Sequence, residues 1–183
     1  MRDCFRLSSL IRGTLICVYL ALVLPLPLIA PPSLQLALWI AAPLGLFIVL
    51  ALLSEEVCID EAGLVVGHPQ WCRWLLRRGW QLRWEQIHRV VPVGTSQGGF
   101  VYYLKTSGDG QHRLLPQRLE RFDQFLIVLQ DRTGIDTSGI GRLTPPWTYQ
   151  LLASIAVVML TTELVVATAI RMNWMTLPAG YPG

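Results

Sequence analysis

The chain has 183 residues, of which 52% are hydrophobic and only 15% are charged, and its mean hydropathy is +0.45. Soluble domains carry about 25% charged residues, so this composition excludes an ordinary soluble globular protein and indicates a membrane protein. The charge is concentrated in residues 54–144, which contain 11 Arg or Lys and 10 Asp or Glu. This balance lacks the basic excess of nucleic-acid-binding proteins, and we therefore expect no nucleic-acid partner.

Two apolar segments lie in the first third of the chain. Residues 15–53 carry no charge and are interrupted only by a Pro-Pro-Ser sequence at 31–33. Because roughly 20 apolar residues cross the hydrocarbon core of a bilayer, this pattern predicts a transmembrane hairpin over residues 1–53. Proline removes a main-chain hydrogen bond inside a helix, so Pro25 predicts that the first helix ends near Leu24.

The start of the chain also has two features of a secretory signal peptide, a basic beginning and an apolar run. However, the residue after Ala30 is Pro31, no A-x-A pattern precedes it, and a second apolar segment follows at once. These features favour an uncleaved first helix over a cleaved signal.

A third apolar segment, Thr148–Ile170, contains one charge, Glu163. It predicts a third transmembrane helix within residues 145–183, followed by a short tail. A carboxyl group in lipid is costly and usually faces a partner or the interior of a helix bundle. Glu163 is therefore a candidate contact to another membrane subunit or a proton-binding site. The alternative is a protonated side chain hydrogen-bonded within the bundle, with help from Thr161 and Thr162.

The arginines near the ends of the spans predict the orientation. One side would hold five of them, and the other side only Arg171; the five are Arg2, Arg6, Arg12, Arg132 and Arg142. Because arginines near the spans stay in the cytoplasm, we expect a cytoplasmic N-terminus, a cytoplasmic domain over residues 54–144 and an extracytoplasmic C-terminus. The expected location is a bacterial-type inner membrane or another energy-transducing membrane.

Residues 54–144 have a mostly β pattern. Alternating apolar and polar residues predict six strand segments: Glu56–Asp60, Leu64–Val66, Trp80–Trp84, Ile87–Val93, Phe100–Leu104 and His112–Leu115. Glycine-rich segments predict turns at Gly94–Gly99 and at Ser107–Gly110.

One helix is predicted after these strands. Apolar residues then recur at helical spacing at Leu119, Phe122, Leu126 and Leu129. Glu120 is expected in the first turn, and Gly134 follows the predicted end.

Three short sequence motifs in this domain resemble those of bacterial pleckstrin-homology-like (PH-like) domains. They are the strand and Asp-Glu-Ala-Gly turn at Glu56–Gly63, the Trp-Glu-Gln-Ile step at Trp84–Ile87, and the Leu-Pro pair at 115–116. The resemblance covers roughly residues 56–135 and includes flanking membrane helices. It implies a membrane protein of the α+β class, in which a cytoplasmic PH-like β-barrel, capped by one C-terminal helix, lies between the second and third of three transmembrane helices.

The segment Trp71–Arg78 looks like an insertion between strands of such a domain. Its candidate lipid or interface contacts are Trp71, Arg73, Trp74, Arg77 and Arg78. Indole rings suit the apolar edge of a bilayer and guanidinium groups suit lipid phosphates. Trp and Arg are also frequent anchors of protein interfaces. A third interpretation is an edge strand or turn in which Trp74 and Leu76 pack into the barrel.

The sequence contains no familiar catalytic or metal-binding motif. It lacks G-x-S-x-G, P-loop, H-E-x-x-H and C-x-x-C patterns. The set Cys58, His68, Cys72 and His88 matches no zinc spacing, and we expect neither a metal nor a cofactor. Two further cysteines, Cys4 and Cys17, lie at or in the membrane, so no disulfide framework is expected for a cytoplasmic domain.

Together these features predict a non-enzymatic integral membrane protein. Its partners would be the lipid bilayer and another membrane protein or complex, which it would serve as a scaffold, assembly or regulatory subunit. A fold of this kind does not by itself select the ligand. The alternative is a lipid-binding or lipid-sensing module at the membrane surface, and a more remote one is a transporter component that uses Glu163.

Overall fold

The structure is a computed structural model and describes residues 3–76, 79–96, 98–106 and 112–172. These residues form two compact units. The polar unit contains the described residues up to Ser9 and those from Ala51 to Pro145. The helical unit contains residues from Leu10 to Leu50 and from Pro146 onward.

A four-stranded antiparallel sheet forms the first half of the polar unit. Its strands, in spatial order, are β1 (Asp3–Arg6), β2 (Glu56–Ile59), β3 (Gly63–Gly67) and β4 (Trp80–Arg83). The tight turn between β2 and β3 is held by Asp60, whose Oδ1 accepts hydrogen bonds from the main-chain amides of Ala62 and Gly63, each at 2.9 Å. Asp favours such turns because its short side chain reaches the amides that follow it.

The first strand of this sheet was not anticipated from the sequence. β1 precedes the first long helix, and it pairs with β2 in a register that sets Arg6 opposite Glu56. Neighbouring antiparallel strands are often joined by a short turn. β1 and β2 are instead joined by the segment that contains the predicted membrane hairpin. β1 also places Phe5 in the core of the polar unit.

A three-stranded antiparallel sheet forms the second half. Its strands are β5 (Ile87–Gly94), β6 (Phe100–Thr106) and β7 (His112–Leu114). The turn predicted at 94–99 is closed by a hydrogen bond of 2.8 Å from the amide of Thr95 to the carbonyl of Gly99. The turn predicted at Ser107–Gly110 lies outside the described residues.

The two sheets share one hydrophobic core but are not joined into a closed barrel by any strand pairing among the described residues. A short 3-10 helix, Trp84–Gln86, ends β4 and starts β5 in the second sheet. Core residues come from both sheets and from the C-terminal helix; they include Val57, Leu64, Leu104, Phe122 and Phe125. The fold is thus mixed α+β with two small antiparallel sheets, and the closed barrel expected from the sequence is not formed by the described residues.

The amphipathic helix α4 (Phe122–Thr133) covers the core and ends at Gly134. Gly134 has φ of +70°, a left-handed conformation that glycine adopts without the steric cost of a Cβ. The predicted helix start was three residues too early. Leu119 bridges to Leu7, and the amide of Glu120 donates to the carbonyl of Arg6 at 2.9 Å, because the N-terminal segment engages these residues before the helix begins.

Three helical segments are long and apolar enough to cross a membrane: Ser9–Ile29, Pro32–Leu52 and Pro146–Arg171. The first consists of α1 (Ser9–Val23) and a single turn α2 (Leu26–Ile29), and the break occurs at Pro25, as predicted. The second is α3 (Pro32–Leu52) and the third is α5 (Pro146–Arg171). Many of their leucine, isoleucine and valine side chains are exposed, as expected of helices whose surroundings are apolar.

Polar contacts join these helices within the helical unit. The hydroxyl of Tyr19 donates to the carbonyl of Ala42 at 2.6 Å, and the buried Thr14 donates to the carbonyl of Tyr149 at 3.3 Å. A Cβ at Gly45 would collide with the Tyr19 hydroxyl. The absence of a side chain at Gly45 therefore leaves room for the Tyr19 ring where α1 and α3 approach, and small residues are common where membrane helices pack closely.

Candidate functional site

The chain between β3 and β4 forms a structured loop, residues 68–76 in the described part, which we call the Trp loop. The amide of Cys72 donates to the carbonyl of Pro69 at 3.2 Å. The amides of Leu75 and Leu76 then donate to the carbonyl of Cys72 at 3.0 and 3.2 Å. Cys72 itself is fully buried. These bonds fix the backbone of the loop around one buried side chain.

The Trp loop displays its large apolar side chains to solvent. Trp74 is 75% exposed, Trp71 is 45% exposed and Leu75 is 40% exposed. The indole Nε1 of Trp74 donates to the carbonyl of Trp71 at 3.0 Å, so its polar group is satisfied locally while the ring stays outside. Because Trp74 does not contribute to the core, the interpretation in which it packs into the barrel is wrong.

Arg73 is exposed between these two tryptophans. The structure therefore places together three of the five contact residues expected from the sequence, namely Trp71, Arg73 and Trp74. The other two, Arg77 and Arg78, lie outside the described residues. An exposed cluster of two indoles, a leucine and a guanidinium group can contact either a protein surface or a lipid headgroup region.

A groove with a volume of about 720 Å³ lies between the Trp loop and the outer face of the four-stranded sheet. Its floor includes one cross-strand row, which is formed by Cys4, Cys58, Val65 and Gln81. His68 and Arg73 of the Trp loop also line the groove. Nδ1 of His68 is buried and has no hydrogen-bond partner in the part of the chain that the structure describes.

A disulfide bond joins Cys4 to Cys58 in this groove. The expectation that the cysteines form no disulfide framework in this domain did not anticipate this bond. It treated Cys4 as a residue at the membrane, whereas β1 sets Cys4 directly opposite Cys58 in the sheet. The two remaining cysteines, Cys17 and Cys72, are free thiols.

No metal centre is formed by the described residues, in which no group of three or more His, Cys, Asp or Glu side chains could hold an ion. While Cys58 is bonded to Cys4, as it is in the structure, it does not present a thiolate to a metal alongside His68, Cys72 or His88.

Glu163 is half-buried on α5. The hydroxyls of Thr161 and Thr162 both donate to the carbonyl of Val158, at 2.9 and 2.8 Å. Neither hydroxyl proton is therefore used for the carboxyl group, and Glu163 has no hydrogen-bond partner among the residues described. The interpretation in which the two threonines satisfy Glu163 is not supported by this geometry.

Comparison with known proteins shows that the chain is similar to an uncharacterized cyanobacterial protein. No family model matches the chain, and no solved structure matches it. The uncharacterized protein slr0269 of Synechocystis sp. (strain ATCC 27184 / PCC 6803 / Kazusa) is 39% identical over 156 residues, which cover 82% of this chain and 78% of the relative. At this identity over most of both sequences, the chain belongs to the same protein family as slr0269.

Proposed function

We propose that this chain is a non-enzymatic integral membrane protein whose polar unit binds a protein partner, as a scaffold, assembly or regulatory subunit of a membrane complex. The main support for this proposal is the exposure of Trp71 and Trp74 on a hydrogen-bonded loop. Indole rings left in water lose the stabilisation that burial provides, about 25 cal/mol for each Å² of apolar surface. A fixed loop that presents two such rings beside Arg73 has the composition of an interface anchor.

The proposed membrane arrangement uses the three apolar helices as spans. Because β1 pairs with β2, the N-terminal segment and the rest of the polar unit lie in the same compartment. Two crossings by the hairpin, Ser9–Ile29 and Pro32–Leu52, satisfy this requirement. Cleavage of the first span as a signal peptide would remove β1 and its core residue Phe5. The arginine distribution then favours the cytoplasm for the polar unit and the opposite side for the C-terminus.

We also propose that the polar unit is a PH-like domain. Among the described residues, strands β2 to β7 lie between the second and third apolar helices and are followed by one amphipathic helix, which is the element order that the sequence resemblance implies. β1, from before the first apolar helix, adds a strand that the resemblance does not include. One core contacts both sheets and α4. In this arrangement the Trp loop is the connection between the third and fourth strands and leaves the core intact, so it is free to vary in sequence as a recognition loop.

The second candidate function is contact with a lipid surface. The observation in its favour is the presence of exposed Leu75 beside the two tryptophans and Arg73, since apolar and cationic side chains together suit the headgroup boundary. Such binding would weaken as salt screens the arginine, whereas an interface anchored by buried indoles would depend less on salt.

The protein-partner proposal is tested by affinity purification of the full chain in mild detergent. Trp74→Ala should remove a partner that wild-type protein retains, because a large apolar anchor is lost. Ile127→Ala is the matched control, since Ile127 is also more than half exposed but lies on α4. Retention of the same partner by Trp74→Ala would contradict the assignment of the Trp loop.

The lipid alternative is tested on the polar unit alone. Because Arg6 and Glu56 are register partners, a short Gly/Ser linker can join residues 3–8 to residues 55–144 and replace the helical hairpin. Salt-sensitive binding of this joined unit to anionic vesicles, lost in Arg73→Gln, would favour the lipid surface over the protein partner.

A further inference from the structure

The Cys4–Cys58 disulfide is open to solvent on one side. Cys4 is exposed on β1, which is an edge strand of the four-stranded sheet, whereas Cys58 is 8% exposed on the neighbouring strand. The bond lies in the groove beside the Trp loop rather than in the core, whose residues alternate with these cysteines on β1 and β2. A thiol on another protein could therefore approach the sulfur of Cys4 more readily than that of Cys58.

The disulfide is not the main attachment of β1. The strand pairs with β2 along its whole length, and Phe5 is buried in the core. Beyond the strand, the amide of Ser8 donates to the carbonyl of Arg118 at 2.9 Å, and the amide of Glu120 donates to the carbonyl of Arg6 at 2.9 Å. Because these contacts do not involve sulfur, the sheet can remain formed when the two cysteines are reduced.

The cytoplasmic placement proposed above, if the polar unit has it, also indicates that this disulfide is reactive rather than structural. Disulfides are rare in the cytosol because cellular thiols reduce them, and those that persist there are usually transient, catalytic or redox-sensing. A solvent-facing disulfide in a cytoplasmic domain belongs to this group. The cationic Arg73 lines the same groove and favours a thiolate in it.

We propose that Cys4 and Cys58 form a reversible thiol–disulfide exchange site that reacts with a protein dithiol of the Cys-x-x-Cys type. A thiolate of the dithiol attacks Sγ of Cys4, forms a mixed disulfide with it, and releases Cys58 as a thiolate that takes up a proton. The second thiol of the partner then attacks the mixed disulfide and releases Cys4. Two electrons and two protons pass from the dithiol to the Cys4–Cys58 pair, and the partner becomes a disulfide.

The proposal is tested with the full chain in detergent and a thioredoxin-type protein in which the second cysteine of the Cys-x-x-Cys motif is replaced by serine. This probe can form the mixed disulfide but cannot resolve it. We expect a covalent adduct with the wild-type chain, visible on a non-reducing gel, and peptide mass analysis that locates it at Cys4. The adduct should form equally with Cys17→Ser and Cys72→Ser and should be lost with Cys4→Ser.

Two outcomes of the trapping experiment would overturn the proposal. One is the absence of an adduct with the folded wild-type chain, and the other is an adduct that persists in Cys4→Ser. Wild-type protein reduced with dithiothreitol, checked by circular dichroism, serves as a second measurement that needs no substitution. It should keep its sheet signal, and loss of that signal would mean that the disulfide is structural. Because the adduct is read directly at Cys4, its failure leaves the Trp74 purification result unaffected, and the reverse also holds.

Discussion

Removing the ring of Phe5 should destabilise the polar unit as strongly as a typical core truncation, although Phe5 precedes the first apolar helix. Phe5 is 5% exposed, its ring centroid lies 5.9 Å from that of Phe125 in an edge-to-face arrangement, and the guanidinium carbon of Arg121 lies 5.2 Å from its centroid. Phe→Ala at a buried site costs about 3–5 kcal/mol from lost transfer energy and the cavity that remains.

This loss is large for a unit of this size, because small domains unfold with a free energy of roughly 5–15 kcal/mol. With a urea dependence of about 2 kcal/mol per molar, the unfolding midpoint should fall by about 2 M. Phe100→Ala makes the same chemical change at a side chain that is more than half exposed. It should alter the free energy of unfolding by no more than about 0.5 kcal/mol.

Pulse proteolysis of the full chain in mild detergent, over a series of urea concentrations, measures these midpoints because the protease cleaves the unfolded polar unit. A shift for Phe5→Ala no larger than that for Phe100→Ala would contradict the core position of Phe5, since β1 would then not complete the core. The same result would predict that residues 55–144 fold equally well without residues 3–8.

Three further predictions concern the turns of the polar unit and the membrane topology. Gly63→Ala should destabilise the unit by about 1–3 kcal/mol in the same urea assay, because the added Cβ would collide with the main chain of β4. Gly139→Ala is the control and should be nearly neutral, because the space around Gly139 is open. Equal effects of the two substitutions would contradict the close packing at Gly63. The pKa of Asp136 is held below its ordinary value of 3.8 by a hydrogen bond from the main-chain amide two residues later. The ionised Asp136 side chain therefore stabilises the folded unit above pH 3.8, and this stabilisation is lost as the pH falls through the lower pKa of the folded state. Asp136→Asn should lower the urea midpoint at neutral pH and should make little difference well below pH 3.8. Reporter fusions after Thr144 should be cytoplasmic and those after Gly183 extracytoplasmic; a cytoplasmic reporter after Gly183 would imply an even number of spans.

The sequence predicted those elements whose signal is local. Apolar runs of about 20 residues identified the three helices that could cross a membrane, since few other structures tolerate so many uncharged residues. The alternation of strands β2 to β7 and the helical spacing of Phe122, Leu126 and Leu129 were equally local signals. Gly134 marked the end of α4 because the left-handed cap favours glycine.

The elements that were missed depend on pairing between distant residues. β1 has only four residues, and it pairs with a strand about 50 positions later, beyond two apolar helices. No local period reveals such a pairing, so the Cys4–Cys58 bond and the late start of α4 were missed with it. The Trp- and Arg-rich composition of the Trp loop was visible in the sequence. However, composition does not tell whether a tryptophan side chain is packed in the core or exposed, and only the structure places Trp74 outside the core.

Binding of a protein partner by the Trp loop is tested most directly by photo-crosslinking in intact cells, with a photoreactive amino acid at position 74 of the full chain. Position 127 on α4 is the control, because its side chain is also exposed but lies outside the Trp loop. We expect a discrete protein adduct from position 74 that is absent from position 127. Adducts with lipid alone, or the same pattern from both positions, would contradict the claim that the Trp loop binds a protein partner.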